Sequence, residues 1–127
     1  MDAKFYNVKA EAKELVISLE ENDPILISIK DALKENNVFT AELISMKGNI
    51  KNFKVNYFEK SSLKTISIFD SCEVVKCSGE FKYDLGPDKL FGRARINYRH
   101  KDKVFDGILN SGFACDGLEI TLKFYEL

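Results

Sequence analysis

The 127 residues include no tryptophan, a single histidine, two prolines, three cysteines and seven glycines, and 19 lysines and arginines nearly cancel 20 aspartates and glutamates. Each shortage removes a class of explanation. A formal charge of −1 gives no net field to recruit nucleic acid or an anionic surface. With His100 as the one imidazole, three-histidine metal sites and most Ser–His or Cys–His catalytic schemes lack a required part. Cys72, Cys77 and Cys115 are odd in number and match neither a disulfide framework nor a CxxC metal knuckle, so they read as buried free thiols. No stretch approaches the roughly 18 apolar residues of a membrane-spanning helix. The Met1-Asp2-Ala3-Lys4 start lacks the profile of a secretory signal, and a cytoplasmic protein is expected.

What is present is ordinary for a folded domain: 45% hydrophobic and 31% charged residues, with ten phenylalanines and five tyrosines. A chain of this length hides roughly two-thirds of its unfolded surface and needs no disulfide or structural metal. One domain over residues 1–127 is expected, with no cofactor.

Glu14 to Leu19 alternates, with Leu15, Ile17 and Leu19 on one face, and reads as a half-buried strand. Asn22-Asp23-Pro24 follows, with Asp23 as the expected helix cap and Pro24 at the first helical position. Ile25, Leu26, Ile29, Ala32 and Leu33 recur at helical spacing, and Asn36-Asn37 end the segment. Everything later alternates with period two: 39–46, 50–58, 63–69, 72–81, 91–99, 104–109 and 118–125. Gly48-Asn49, Asp70-Ser71, Gly86-Pro87-Asp88, Lys101-Asp102 and Asp116-Gly117 are the expected breaks. The prediction is an α+β fold: an antiparallel sheet of about seven strands with one main helix packed on it.

The charge is unevenly spread. Residues 43–64 carry five bases and one acid, and 89–103 carry six and one. In the second segment, alternation places Arg93, Arg95, Asn97 and Arg99 on one face of a strand, with Ala94, Ile96 and Tyr98 on the other.

These segments, in this order, resemble the PPC (plants and prokaryotes conserved) domain, which follows the AT-hooks of plant AT-hook nuclear-localised proteins and stands alone in prokaryotes. Leu43 to Phe58 is similar to the family's "xSGxGxLxxxxLxYF" hairpin, and Phe69 to Glu80 resembles its "GxxEIxSLxGxx" segment, with Glu73 and Gly79 at the diagnostic positions. Arg93 to Asn97 falls where many prokaryotic members have "HxHxS", Asp106 to Leu109 on their "GGHL", and Leu118 to Leu122 on the last strand. The resemblance covers residues 12–126. It implies a PPC-like fold of the stand-alone prokaryotic type, assembled as a homotrimer. Members with three histidines look like metal binders, but here Arg93, Arg95 and Ile108 fill those positions. No metal site is expected, because a guanidinium has no lone pair to donate.

Arg93 and Arg95, with Asn97, Glu73 and Asp106 near them, are the candidate ligand- or anion-binding residues. The bland alternative is a strand face whose arginines pair with carboxylates such as Asp106 or Glu119. Glu73 has no second carboxylate at a spacing that makes an acid–base pair, and no catalytic residue is assigned. Cys72 and Cys77, five apart, are expected on opposite faces of their strand. Tyr57 and Tyr98 read as core or interface aromatics. The reading is a non-enzymatic homotrimeric module that binds a protein partner or a small anion. Two alternatives stay open: DNA binding through a basic face assembled by the trimer, and an enzyme or metabolite binder using an arginine-lined pocket.

Overall fold

The structure is a computed structural model that describes residues 11–126, with side chains described for 12–125; the Met1–Lys4 start lies outside them. Its elements run β1 (Glu11–Leu19), α1 (Ile25–Glu35), β2 (Thr40–Glu59), β3 (Ser62–Ile68), β4 (Cys72–Asp84), β5 (Lys89–His100) and β6 (Lys103–Glu126). The strands form one antiparallel sheet in the order β1-β6-β5-β4-β2-β3. An additional β6–β2 pairing joins β6, β5, β4 and β2 into a ring, and among the described residues β1 and β3 are each bonded along one edge.

Among the described residues six strands replace the seven or so expected, because two of the expected breaks are bulges. Gly48-Asn49 sits inside β2 and Asp116-Gly117 inside β6: Gly48 opposes Leu118 and Asn49 opposes Cys115, so Asp116 and Gly117 bulge out while the ladder continues. Such insertions bend a strand without ending it. Residues 110–117 carried no legible strand pattern because the inward positions there are the small Gly112 and Ala114.

The core lies inside this curved sheet. Ile50, Phe53, Val55, Ile96, Ile120 and Leu122 are wholly buried, as are Ile25, Ile29 and Leu33, the inner stripe of α1. Phe53 meets Tyr98 edge to face at 5.0 Å between ring centroids.

Helix α1 begins and ends close to expectation, but not by the expected cap. Pro24 occupies the N-cap with extended backbone, and no side chain caps the helix. The Asp23 carboxylate instead accepts a bond from the Glu20 amide at 2.8 Å. Backbone bonds from Asn22 N to Ala114 O and from Ala114 N to Asp23 O, both 2.9 Å, tie this turn to β6. That pairing, rather than a side-chain cap, fixes where the helix starts. At the other end Asn37 takes a positive φ of 55° and Val38 N bonds Leu33 O at 2.9 Å.

The β4–β5 turn is clamped to the helix. The buried Tyr83 hydroxyl donates to Asp88 Oδ1 at 2.5 Å, and Lys34 Nζ lies 3.3 Å from the same oxygen. The bond to Asp88, helped by burial, pushes the Tyr83 pKa up to about 12. The neutral phenol is therefore favoured in the folded state, and its stabilisation is complete below the unfolded value of about 10 and lost as pH rises through about 12. Urea midpoints measured from pH 9 to 12 are expected to fall less steeply for Tyr83→Phe than for the parent; parallel curves would remove this clamp as the cause.

Candidate functional site

The alternation read in β5 holds. Ala94, Ile96 and Tyr98 are buried, Arg93, Arg95 and Arg99 are exposed, and Asn97 is half-buried on their side. Directly opposed residues share a face, so the register fixes each arginine's company. Arg93 faces Glu80 on β4, Arg95 faces Ser78 on β4 and Ile108 on β6, Asn97 faces Lys76 and Asp106, and Arg99 faces Glu73 and Val104.

Two of the three arginines are paired: Arg95 Nη1 lies 3.5 Å from Asp106 Oδ2, and Arg99 Nε lies 3.7 Å from Glu73 Oε1. Arg93 makes no ion pair among the described residues. The ladder is therefore one column of a checkerboard of charge, not a free cationic stripe. Asp106 is a partner as anticipated; Glu119 is not, since it opposes Lys47 and Ser18 elsewhere on the sheet.

Arg93, Arg95 and Ile108 converge on one shallow depression of about 380 Å³ with Ser78, Gly79 and Gly92. Its floor is backbone. A Cβ on Gly79 would lie 2.0 Å from the Arg93 carbonyl oxygen, and one on Gly92 would lie 2.0 Å from that of Glu80. A second depression of about 390 Å³ shares Arg95 and Ile108 and is completed by Asn56, Phe58 and Asp106. Of the candidate residues, Arg93, Arg95 and Asp106 are thus brought together and Asn97 lies beside them. Glu73 is not: it stands further along β4, against Arg99.

His100 ends β5 and bonds Asp70 at 2.8 Å through Nε2. Tyr57 is half-buried and Tyr98 belongs to the core. Cys72 and Cys77 do not lie on opposite faces. A bulge in β4 between Val74 and Lys76 resets the alternation, so Cys72 opposes buried Ile50 and Cys77 opposes buried Ile96. Burial pushes both thiols above their ordinary pKa, which suppresses the reactive thiolate. All three cysteines are free.

Among the described residues one group of metal-capable side chains converges: Glu21, Cys115 and Asp116. Glu21 already accepts bonds from the Asp116 amide and from Lys51, which hold its carboxyl below the usual range. The cation in that cluster is Lys51.

A family model described as the Plants and Prokaryotes Conserved (PCC) domain matches residues 6–123. The chain belongs to the PCC domain family. No curated protein sequence matches it. Three solved PCC-like folds cover nearly all of it. The plant- and prokaryote-conserved (PPC) protein of Pyrococcus horikoshii is 24% identical, with a TM-score of 0.77 over 94% of this chain and 83% of its own. A metal-containing protein from Archaeoglobus fulgidus is 16% identical, with a TM-score of 0.77 over 93% and 84%. A protein from Bacteroides thetaiotaomicron, described provisionally as DNA-binding, is 15% identical, with a TM-score of 0.72 over 93% and 85%. At these identities the likeness establishes the PCC fold. Arg93, Arg95 and Ile108 occupy the positions that the sequence resemblance assigns to metal ligands, and neither a guanidinium nor an alkyl side chain has a lone pair to donate.

Proposed function

We propose that the whole chain, residues 1–127, acts as one cytoplasmic PCC domain, a non-enzymatic homotrimer whose role is interaction. The observation that carries this is the outer face of the ring around Ile108. Phe58 is 70% exposed and its cross-strand partner Leu63 is 59% exposed. Beside them stand Asn56, bonded by Thr65, and the Arg95–Asp106 pair. An apolar centre rimmed by charges of both signs is the anatomy of a protein contact. It suits an anion poorly, because Glu80 and Asp106 offset Arg93 and Arg95. Among the described residues, strands β1 and β3 also keep one unpaired edge each, which assembly would cover. The three free thiols suit a reducing compartment.

Sedimentation equilibrium is expected to give three times the chain mass of 14.5 kDa. Phe58→Asp combined with Leu63→Asp is expected to give monomers with an unchanged circular dichroism spectrum. A parent protein that is monomeric at tens of micromolar, or a double variant that stays trimeric, would overturn the reading. The DNA-binding alternative, a basic face assembled by the trimer, rests on Arg93 and predicts retention of a random duplex at about 50 mM salt that falls steeply as salt rises. The charge checkerboard favours no retention.

A further inference from the structure

Along the inward side of β5 the residues run Leu90, Gly92, Ala94 and Ile96, so the two middle positions carry nothing larger than a methyl group. Helix α1 faces that gap with Leu26, Ile27 and Lys30, which flank its buried stripe. A cleft of about 190 Å³ lies between helix and sheet, on the opposite face of β5 from Arg93 and Arg95. Its floor is core, since Phe81, Ala94 and Leu109 are all buried. Leu26 and Leu90 form half-buried walls, and Ile27 is exposed at the mouth. Among the described residues that line the cleft, Lys30 alone is charged.

We infer that this cleft binds a small amphipathic carboxylate of the short-chain fatty acid class, its hydrocarbon body against Phe81, Leu90 and Leu109 and its carboxylate on the Lys30 ammonium. Size and charge select that class. Pockets for drug-sized ligands span roughly 300–1,000 Å³, and this one is smaller, so the body it accepts is a few carbons long. An apolar floor with a single cation at its rim complements an anion that carries a hydrocarbon tail. Lys30 is available for that role. Its one ion pair among the described residues, to Asp88 Oδ2 at 3.7 Å, is longer than a hydrogen bond and half open to solvent, and such pairs contribute little. Asp88 is held without it, by the Tyr83 hydroxyl at 2.5 Å and Lys34 Nζ at 3.3 Å. The flexible four-carbon stem lets the ammonium turn from Asp88 to the cleft while the helix stays in place.

Sodium hexanoate is a suitable probe, added to the full chain and followed through the methyl resonances of Leu26, Leu90 and Leu109. All three are expected to shift saturably at millimolar hexanoate, with hexan-1-ol binding about fivefold more weakly. Each methylene added between butanoate and hexanoate is expected to tighten binding about threefold. Lys30→Gln changes a helix surface position and is expected to lower hexanoate to the level of hexan-1-ol. Lys34→Gln removes the closer lysine partner of Asp88 and is expected to leave both ligands unchanged. Three results would each overturn the site: no saturable shift at about 20 mM hexanoate, equal binding of hexanoate and hexan-1-ol by the parent, or the same loss in both lysine variants. Binding that appears only after residues 2–10 are removed would assign the cleft to this chain's own start and overturn it as well. A parent protein that proves monomeric leaves all these expectations in place.

Discussion

Gly79→Ala is expected to destabilise the protein by about 3–5 kcal/mol, the sum of overpacking and backbone strain. The position fails on both counts. Its φ of +153° lies in a region that side chains rarely adopt, and the new methyl carbon would sit 2.0 Å from the Arg93 carbonyl oxygen. That oxygen is part of the β4–β5 ladder and cannot swing aside as a side-chain tip would. Relief requires parting β4 from β5 where Gly79 opposes Ala94 and Gly92 opposes Phe81. Against a typical total of about 5–15 kcal/mol, that removes between about a fifth and all of the stability. Urea denaturation of the purified variant measures the loss, and a change under about 1 kcal/mol would show that the hairpin relaxes more easily than its geometry indicates.

The second large effect is in the ring's interior. Phe53→Ala is expected to cost about 3–5 kcal/mol, because the side chain is wholly buried and its ring meets Tyr98 edge to face. The site is poorly able to collapse: Phe53 packs over Gly112, where there is no side chain to move in. Phe53→Leu keeps most of the volume and is expected to cost less than half as much. Phe58→Ala, five positions along the same strand but on the outside, is expected to leave monomer stability nearly unchanged. If denaturation midpoints fail to separate Phe53→Ala from Phe58→Ala, the assignment of inside and outside along β2 is wrong.

How much of this was legible beforehand follows from where period-two alternation survives. In β5 it runs unbroken, so the inward Ala94, Ile96 and Tyr98 and the outward arginines were readable residue by residue. The helix was readable from its stripe, because the buried Ile25, Ile29 and Leu33 recur four apart. Bulges defeated the rest. One residue inserted at Val75 put Cys77 on the same side as Cys72, and bulges at Gly48 and Asp116 made two pairs of expected strands into two long ones. No local composition marks Ile44 or Val75 as extra, since they become extra only against the strands they fail to match. The arginines were conspicuous as a ladder, but what neutralises them lies on neighbouring strands. Register, which the sequence does not display, decided that Asp106 rather than Glu119 answers Arg95. The Phe58 and Leu63 patch was hidden for a similar reason: alternation separates two faces without saying which one meets solvent.

Strand β6 bonds to β1, β5 and β2, and it follows all of them in the chain. During synthesis the other strands therefore emerge before the one that joins them. Until β6 is available, β1 lacks its sheet partner among the described residues, and the open β2–β3–β4–β5 sheet exposes its apolar inner face. Contacts of such long sequence separation form slowly, typically over milliseconds to seconds. The interval before β6 docks is thus the most aggregation-prone moment in the molecule's life, and a nascent chain stalled before Lys103 should be a strong client for chaperones.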